Sequence, residues 1–121
     1  MKWIGLVLIS GLLSAPAWAA EPITLRARTA GDLAALCGAP PGSPGADAKI
    51  NFCHGFAQGA VDDRMAMSPD KKPFCFPNPM PSRAATMNEY VAWVRSIPTN
   101  KDLSVLDGLF KFFGERFPCK S

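Results

Sequence analysis

The sequence predicts an all-α fold: a small four-helix bundle stapled by two disulfides, with a long Pro-rich loop between helices 2 and 3. Three observations predict it. Apolar residues recur at helical spacing in four segments, and no convincing pair of strands is visible. Pro and Gly cluster between those segments, where they break helices. Four Cys lie downstream of a segment that reads as an export signal, which favours a disulfide framework.

That export signal occupies residues 1–19. Lys2 is a short positive n-region, Trp3 to Leu13 is an apolar run, and Ala17-Trp18-Ala19 has the small–x–small form of a cleavage site. The run is shorter than the roughly twenty helical residues that cross a bilayer. Cleavage is expected between Ala19 and Ala20. No second long apolar run and no Cys near the cut follows, so neither a membrane anchor nor a lipid anchor is expected. The chain of 121 residues is one domain's worth at most. Its formal charge of +3 is too small to point to nucleic acid, and its 48% hydrophobic content is too high for a disordered chain.

Residues 20–28 alternate weakly and are expected to form an extended lead-in. A single helical domain then covers 29–121. Thr29 and Asp32 match a capping form, so the first helix starts near Thr29; Leu33, Leu36 and Cys37 share a face, and Gly38 ends it. Pro40, Pro41 and Pro44 prevent its continuation. The second helix is expected from about Ala46 to about Met67. Ile50, Cys53, Ala57, Ala60 and Val61 fall at helical spacing and Phe52 and Phe56 add a neighbouring stripe, which predicts a central, largely buried helix. Gly55 and Gly59 cost about 1 kcal/mol each relative to Ala, so close approach of another element is expected there.

Pro69, Pro73, Cys75, Pro77, Pro79 and Pro81 make Ser68 to Pro81 a loop. The third helix begins near Ser82, with Ala84, Met87, Val91 and Val94 on one face and Tyr90, Trp93 and Ile97 beside them, and Pro98 stops it. Thr99 and Asp102 repeat the capping form and are expected to open the last helix. Leu103, Leu106, Phe110, Phe113 and Phe117 define its apolar stripe, opposite Ser104, Asp107, Lys111 and Glu115. Val105, Leu109 and Phe112 widen that arc, which is expected to pack on two neighbours within the monomer; a homodimer or partner surface is the alternative.

Four cysteines allow three pairings. The short connection makes helices one and two antiparallel, which sets Cys37 beside Cys53 and leaves Cys75 to pair with Cys119. The competing uses of these residues are weak. A c-type haem needs C-x-x-C-H, and Cys53-His54 lacks the first Cys. A structural zinc site has no C-x₂₋₄-C pair to build on, and His54 is the only His.

The run Cys53-His54-Gly55-Phe56-Ala57-Gln58-Gly59-Ala60-Val61-Asp62 resembles the C-x-G-[YF]-x-x-G-x-x-D motif of the Rap/Tai family of immunity proteins. Phe74-Cys75-Phe76-Pro77 resembles that family's F/I-C-x-P segment. Tyr90-Val91 with Ile97-Pro98 resembles its Pro-ended helix, and Phe117-Pro118-Cys119 its terminal F-P-C. Gly55, Phe56, Gly59, Asp62, Pro77 and Pro118 are thus the family-motif positions, with a structural role. The resemblance implies a helical periplasmic protein that binds and blocks a peptidoglycan amidase toxin delivered by type VI secretion. It implies an inhibitor, not an enzyme, and some members form dimers.

The residues agree with a non-catalytic reading. No Ser sits in a nucleophile context, and Asp62 and Asp63 diverge by about 100° on a helix instead of forming a dyad. Asp62 is expected to anchor donors near the helix end, and Asp63 with Arg64 to be a solvated pair. Oxidised cysteines leave no thiol nucleophile, and no cofactor or metal is expected. Lys71, Lys72, Phe74 and Phe76 in the tethered loop are the candidate toxin contacts. The competing expectation is that both Phe are buried under the loop and the Lys pair is merely solvated. An acid-stress chaperone and a binding subunit of an envelope complex are the alternative functions.

Overall fold

The computed structural model describes residue 11 and residues 22–120; apart from residue 11, the expected signal peptide and its cleavage site lie outside the described residues. The described residues form four α-helices: α1 (Ala30–Cys37), α2 (Ala46–Ala66), α3 (Arg83–Ser96) and α4 (Val105–Arg116), with one 3-10 turn at Asn100–Asp102. The all-α fold is as the periodicity predicts. Both disulfides have the expected pairing, Cys37–Cys53 with a Cα separation of 5.1 Å and Cys75–Cys119 with 4.8 Å.

The first helix starts where its capping residues dictate. The Asp32 amide donates to Thr29 Oγ1 at 3.1 Å, and the Thr29 amide donates back to Asp32 Oδ2 at 3.1 Å. The Arg28 amide adds a third bond to the same carboxylate oxygen. These backbone donors, Arg28 first and then Thr29, hold the Asp32 carboxyl below its ordinary value of 3.8.

The centre of the molecule is α1, not α2 as the apolar pattern suggests. Ala30, Leu33, Ala34, Leu36 and Cys37 are all buried, and this short helix packs against α2, α3, α4 and the 3-10 turn. In α2 only Ala46, Cys53, Ala57 and Val61 are buried. Ile50, Phe52, Phe56 and Ala60 are half-buried at its flanks, and the rest of its circumference meets solvent. Its first residue follows Gly45 at φ +70°, a left-handed turn for which glycine is suited, and a Cβ there would collide with Ile23.

On α3 the inward face is Thr86, Met87, Tyr90, Val91 and Val94; Ala84 and Ile97, expected with them, are exposed. The Tyr90 hydroxyl donates to the Ala30 carbonyl at 3.2 Å, tying α3 to the start of α1. Burial pushes that phenol far above its ordinary value.

The last helix begins five residues later than its first capping signal. Thr99 makes no side-chain cap, and the turn after it stops at Leu103 in extended conformation. Ser104 is the true cap, accepting from the Asp107 amide at 3.2 Å. The break is fixed by pairing with the lead-in: the Ala30 amide donates to the Leu103 carbonyl, and the Val105 amide to the Arg28 carbonyl, each at 2.9 Å. The core face is then Gly108, Leu109, Phe112 and Phe113, with Phe117 beyond the helix end. Leu106, expected on this face, is 44% exposed. The wide arc of α4 is largely spent inside the monomer.

Candidate functional site

The segment between α2 and α3 is anchored from three directions. Phe74 is 2% exposed, with its ring centroid 6.1 Å from Phe110 and 5.8 Å from Phe113. The Cys75 amide donates to the Phe117 carbonyl at 2.9 Å, and the Cys75–Cys119 bond closes the same junction covalently. Phe76, half-buried, stands edge-on to Phe113 and Phe117. These aromatic pairs explain why a loop so rich in Pro holds one position against the body.

Two concavities flank this loop. The first is an apolar cleft of about 370 Å³ between α2, α3 and the loop. Ala57, Val61, Met87 and Phe113 lie beneath it, and Phe76 and Met80 form the loop side. Its polar rim is a short chain: Arg83 Nη2 donates to Gln58 Oε1 at 2.6 Å, and Gln58 Nε2 donates to Asp62 Oδ2 at 3.4 Å. His54 completes the rim, and burial, then the nearby Arg83 charge, lowers its pKa below 6.5.

The second is a wider, polar recess of about 660 Å³ on the other side of the loop, with Arg64, Asp70, Lys71 and Lys72 around it and Gly114 and Cys119 on its floor. Arg64 lies over the Phe110 ring at 5.5 Å, so its guanidinium is steered toward this side.

The anticipated contact residues divide accordingly. Lys71 and Lys72 are exposed at the recess, whereas Phe74 is a core residue and is corrected from contact to anchor. Phe76 is shared between core and cleft. Of the motif positions, Phe56 stacks on Phe52 at 5.9 Å and packs against the core, Asp62 and Pro77 are exposed, and Pro118 borders the recess.

Gly55 and Gly59 contradict the expectation of close helix packing. Both are exposed, and a Cβ added to either would meet no atom within 4 Å. Asp62 does receive a donor, the Gln58 amide, as anticipated for an anchoring role. The cleft itself and its rim residues His54, Gln58 and Arg83 were not singled out as a site. The Gln58–Asp62 spacing of four was the available signal, since such pairs meet on a helix surface.

All four cysteines are oxidised, and among the described residues no group of three or more His, Cys, Asp or Glu is placed to hold a metal ion. An apolar cleft and a cationic recess lie on either side of the pinned loop.

A protein-family model described as Rap1a immunity proteins matches residues 29–119. Neither a curated protein nor a solved structure matches the chain.

Proposed function

The chain belongs to the Rap1a immunity protein family, and from that premise we propose that it binds and inhibits a peptidoglycan amidase toxin delivered by type VI secretion. It does so in the periplasm, after residues 1–19 are removed as a signal peptide. The carrying observation is the extent of the match, which runs from the capping residue of α1 to the last cysteine and so takes in the whole folded domain. Two formed disulfides accord with an oxidising compartment.

The contact surface in this reading is the Ser68–Pro81 loop with Lys71 and Lys72 at its exposed side. A loop pinned before binding loses less conformational entropy when a partner closes on it, so affinity improves without added area. Two cations at a solvated rim act mainly by steering an acidic partner and raising the association rate. Phe74 supports the surface from within, and Phe76 presents an edge to the cleft.

The test takes a cysteine–histidine peptidoglycan amidase toxin as the candidate partner. The purified pair is expected to form a stoichiometric complex in which peptidoglycan cleavage stops. Replacing Lys71→Glu with Lys72→Glu should weaken the complex by about tenfold at low salt, less at high salt. Unchanged affinity would remove the basic loop from the interface, and no complex with the wild-type protein would remove the amidase.

A further inference from the structure

The two disulfides occupy opposite environments. Cys53 is 0% and Cys37 7% exposed, sealed beneath α1 and α2. Cys75 and Cys119 are both exposed, and Cys119 lines the cationic recess. Thiol–disulfide exchange requires a thiolate to reach one sulfur along the S–S axis, so access controls the rate when the attacking thiol is the same.

We propose that Cys75–Cys119 is a reversible thiol-exchangeable clasp on the Ser68–Pro81 loop, while Cys37–Cys53 is a permanent structural bond. A dithiol reductant attacks one exposed sulfur. The Cys75–Cys119 bond breaks, a mixed disulfide forms, and the second thiol of the reductant displaces the protein sulfur. The reductant leaves as a cyclic disulfide, two electrons having passed to the protein, and Cys75 and Cys119 remain as thiols.

The contacts around the clasp make the change local. With the bond open, Phe74 stays between Phe110 and Phe113, and the Cys75 amide keeps its bond to the Phe117 carbonyl. The segment on the recess side has less to hold it. Cys119 Sγ lies 3.4 Å from the Lys72 carbonyl oxygen, so the clasp sits directly under the Lys71–Lys72 pair. That pair has no salt bridge among the described residues. Opening the bond therefore frees the basic edge of the loop and the residues after Phe117 while the helices persist. If the loop is the toxin contact, an inference that rests on the function proposed above, reduction lowers affinity by removing its preorganisation.

The experiment treats the oxidised protein with graded dithiothreitol, alkylates the freed thiols and maps them by mass spectrometry. Cys75 and Cys119 are expected to be labelled about tenfold faster than Cys37 and Cys53. In that singly reduced form, trypsin should cleave after Lys71 several-fold faster, about as the freed loop dictates, with far-ultraviolet circular dichroism unchanged. Simultaneous labelling of both pairs, earlier labelling of Cys37 and Cys53, or unchanged cleavage after Lys71 would overturn the proposal. The double variant Cys75→Ser with Cys119→Ser should reproduce the fast cleavage; if it does not fold, the singly reduced wild-type protein still gives the answer. Binding separates the two readings. An amidase that ignores the oxidised protein removes the toxin partner and leaves the clasp standing. One that binds both redox forms equally removes the regulation and leaves the partner standing.

Discussion

Added to Gly108, a Cβ would sit 2.6 Å from the Cβ of Ala30, a rigid neighbour that has no rotamer into which to retreat. Here α4 crosses the start of α1, and the Tyr90 hydroxyl bonds to the Ala30 carbonyl beside it. Gly108→Ala is therefore expected to destabilise the protein by about 1–3 kcal/mol, in spite of alanine's better helix propensity. A urea midpoint at or above wild type would show that α1 yields at this crossing. His54 supplies the other residue-scale expectation. Its pKa is lower folded than unfolded, so the unfolded chain binds more protons as pH falls below 6.5, and stability declines through that range. His54→Gln should flatten the decline between about pH 7 and 5, measured by thermal melts across pH. An unaltered slope would assign the decline to other groups. Neither Gly108 nor the His54–Arg83 proximity could be read from the sequence, because both depend on which helices cross.

The second helix shows where periodicity misleads. Its apolar residues cover a wide arc, which reads as burial on many sides, yet the three other helices gather round α1 and leave half of α2 wet. Large residues such as Phe52 and Phe56 are only half-buried against the core. Gly55 and Gly59 consequently have no intramolecular duty that their surroundings reveal. Gly55→Ala and Gly59→Ala should each stabilise the fold by up to about 1 kcal/mol, because an open helical face gains propensity and meets no clash. A loss of stability in either variant, read from urea unfolding, would show that something approaches that face in the folded monomer. The last helix teaches a related point. Two successive capping forms, Thr99/Asp102 and Ser104/Asp107, stand in the sequence with equal local merit. The choice between them was made by the Arg28–Ala30 backbone bonding across to Leu103 and Val105, a tertiary event that local pattern does not encode.

For the whole molecule, helix count, the loop and both cysteine pairings were legible because chain connectivity restricts them: a short hairpin leaves few ways to join four cysteines. What connectivity does not convey is how deep each bond lies, and that depth sets its energetic role. The chain-entropy view ranks the bonds by the loop they close. It assigns about 3 kcal/mol to Cys37–Cys53, sixteen residues apart, and about 4 kcal/mol to Cys75–Cys119, forty-four apart. Burial alters that ranking. Replacing Cys37 and Cys53 by Ala removes two sulfurs from a packed interior, which adds roughly 1 kcal/mol or more through lost transfer and cavity terms. Replacing Cys75 and Cys119 by Ala empties no core. The double variant Cys37→Ala with Cys53→Ala is therefore expected to lose at least as much stability as Cys75→Ala with Cys119→Ala, although it opens the shorter loop. Urea unfolding of the two variants decides this, with a typical domain total of about 5–15 kcal/mol making either loss easy to resolve. A distinctly larger loss at the exposed pair would mean that loop entropy outweighs packing here. The outcome also bears on how the exposed bond acts: one that supports no packed interior can be opened without emptying the core that holds the helices together.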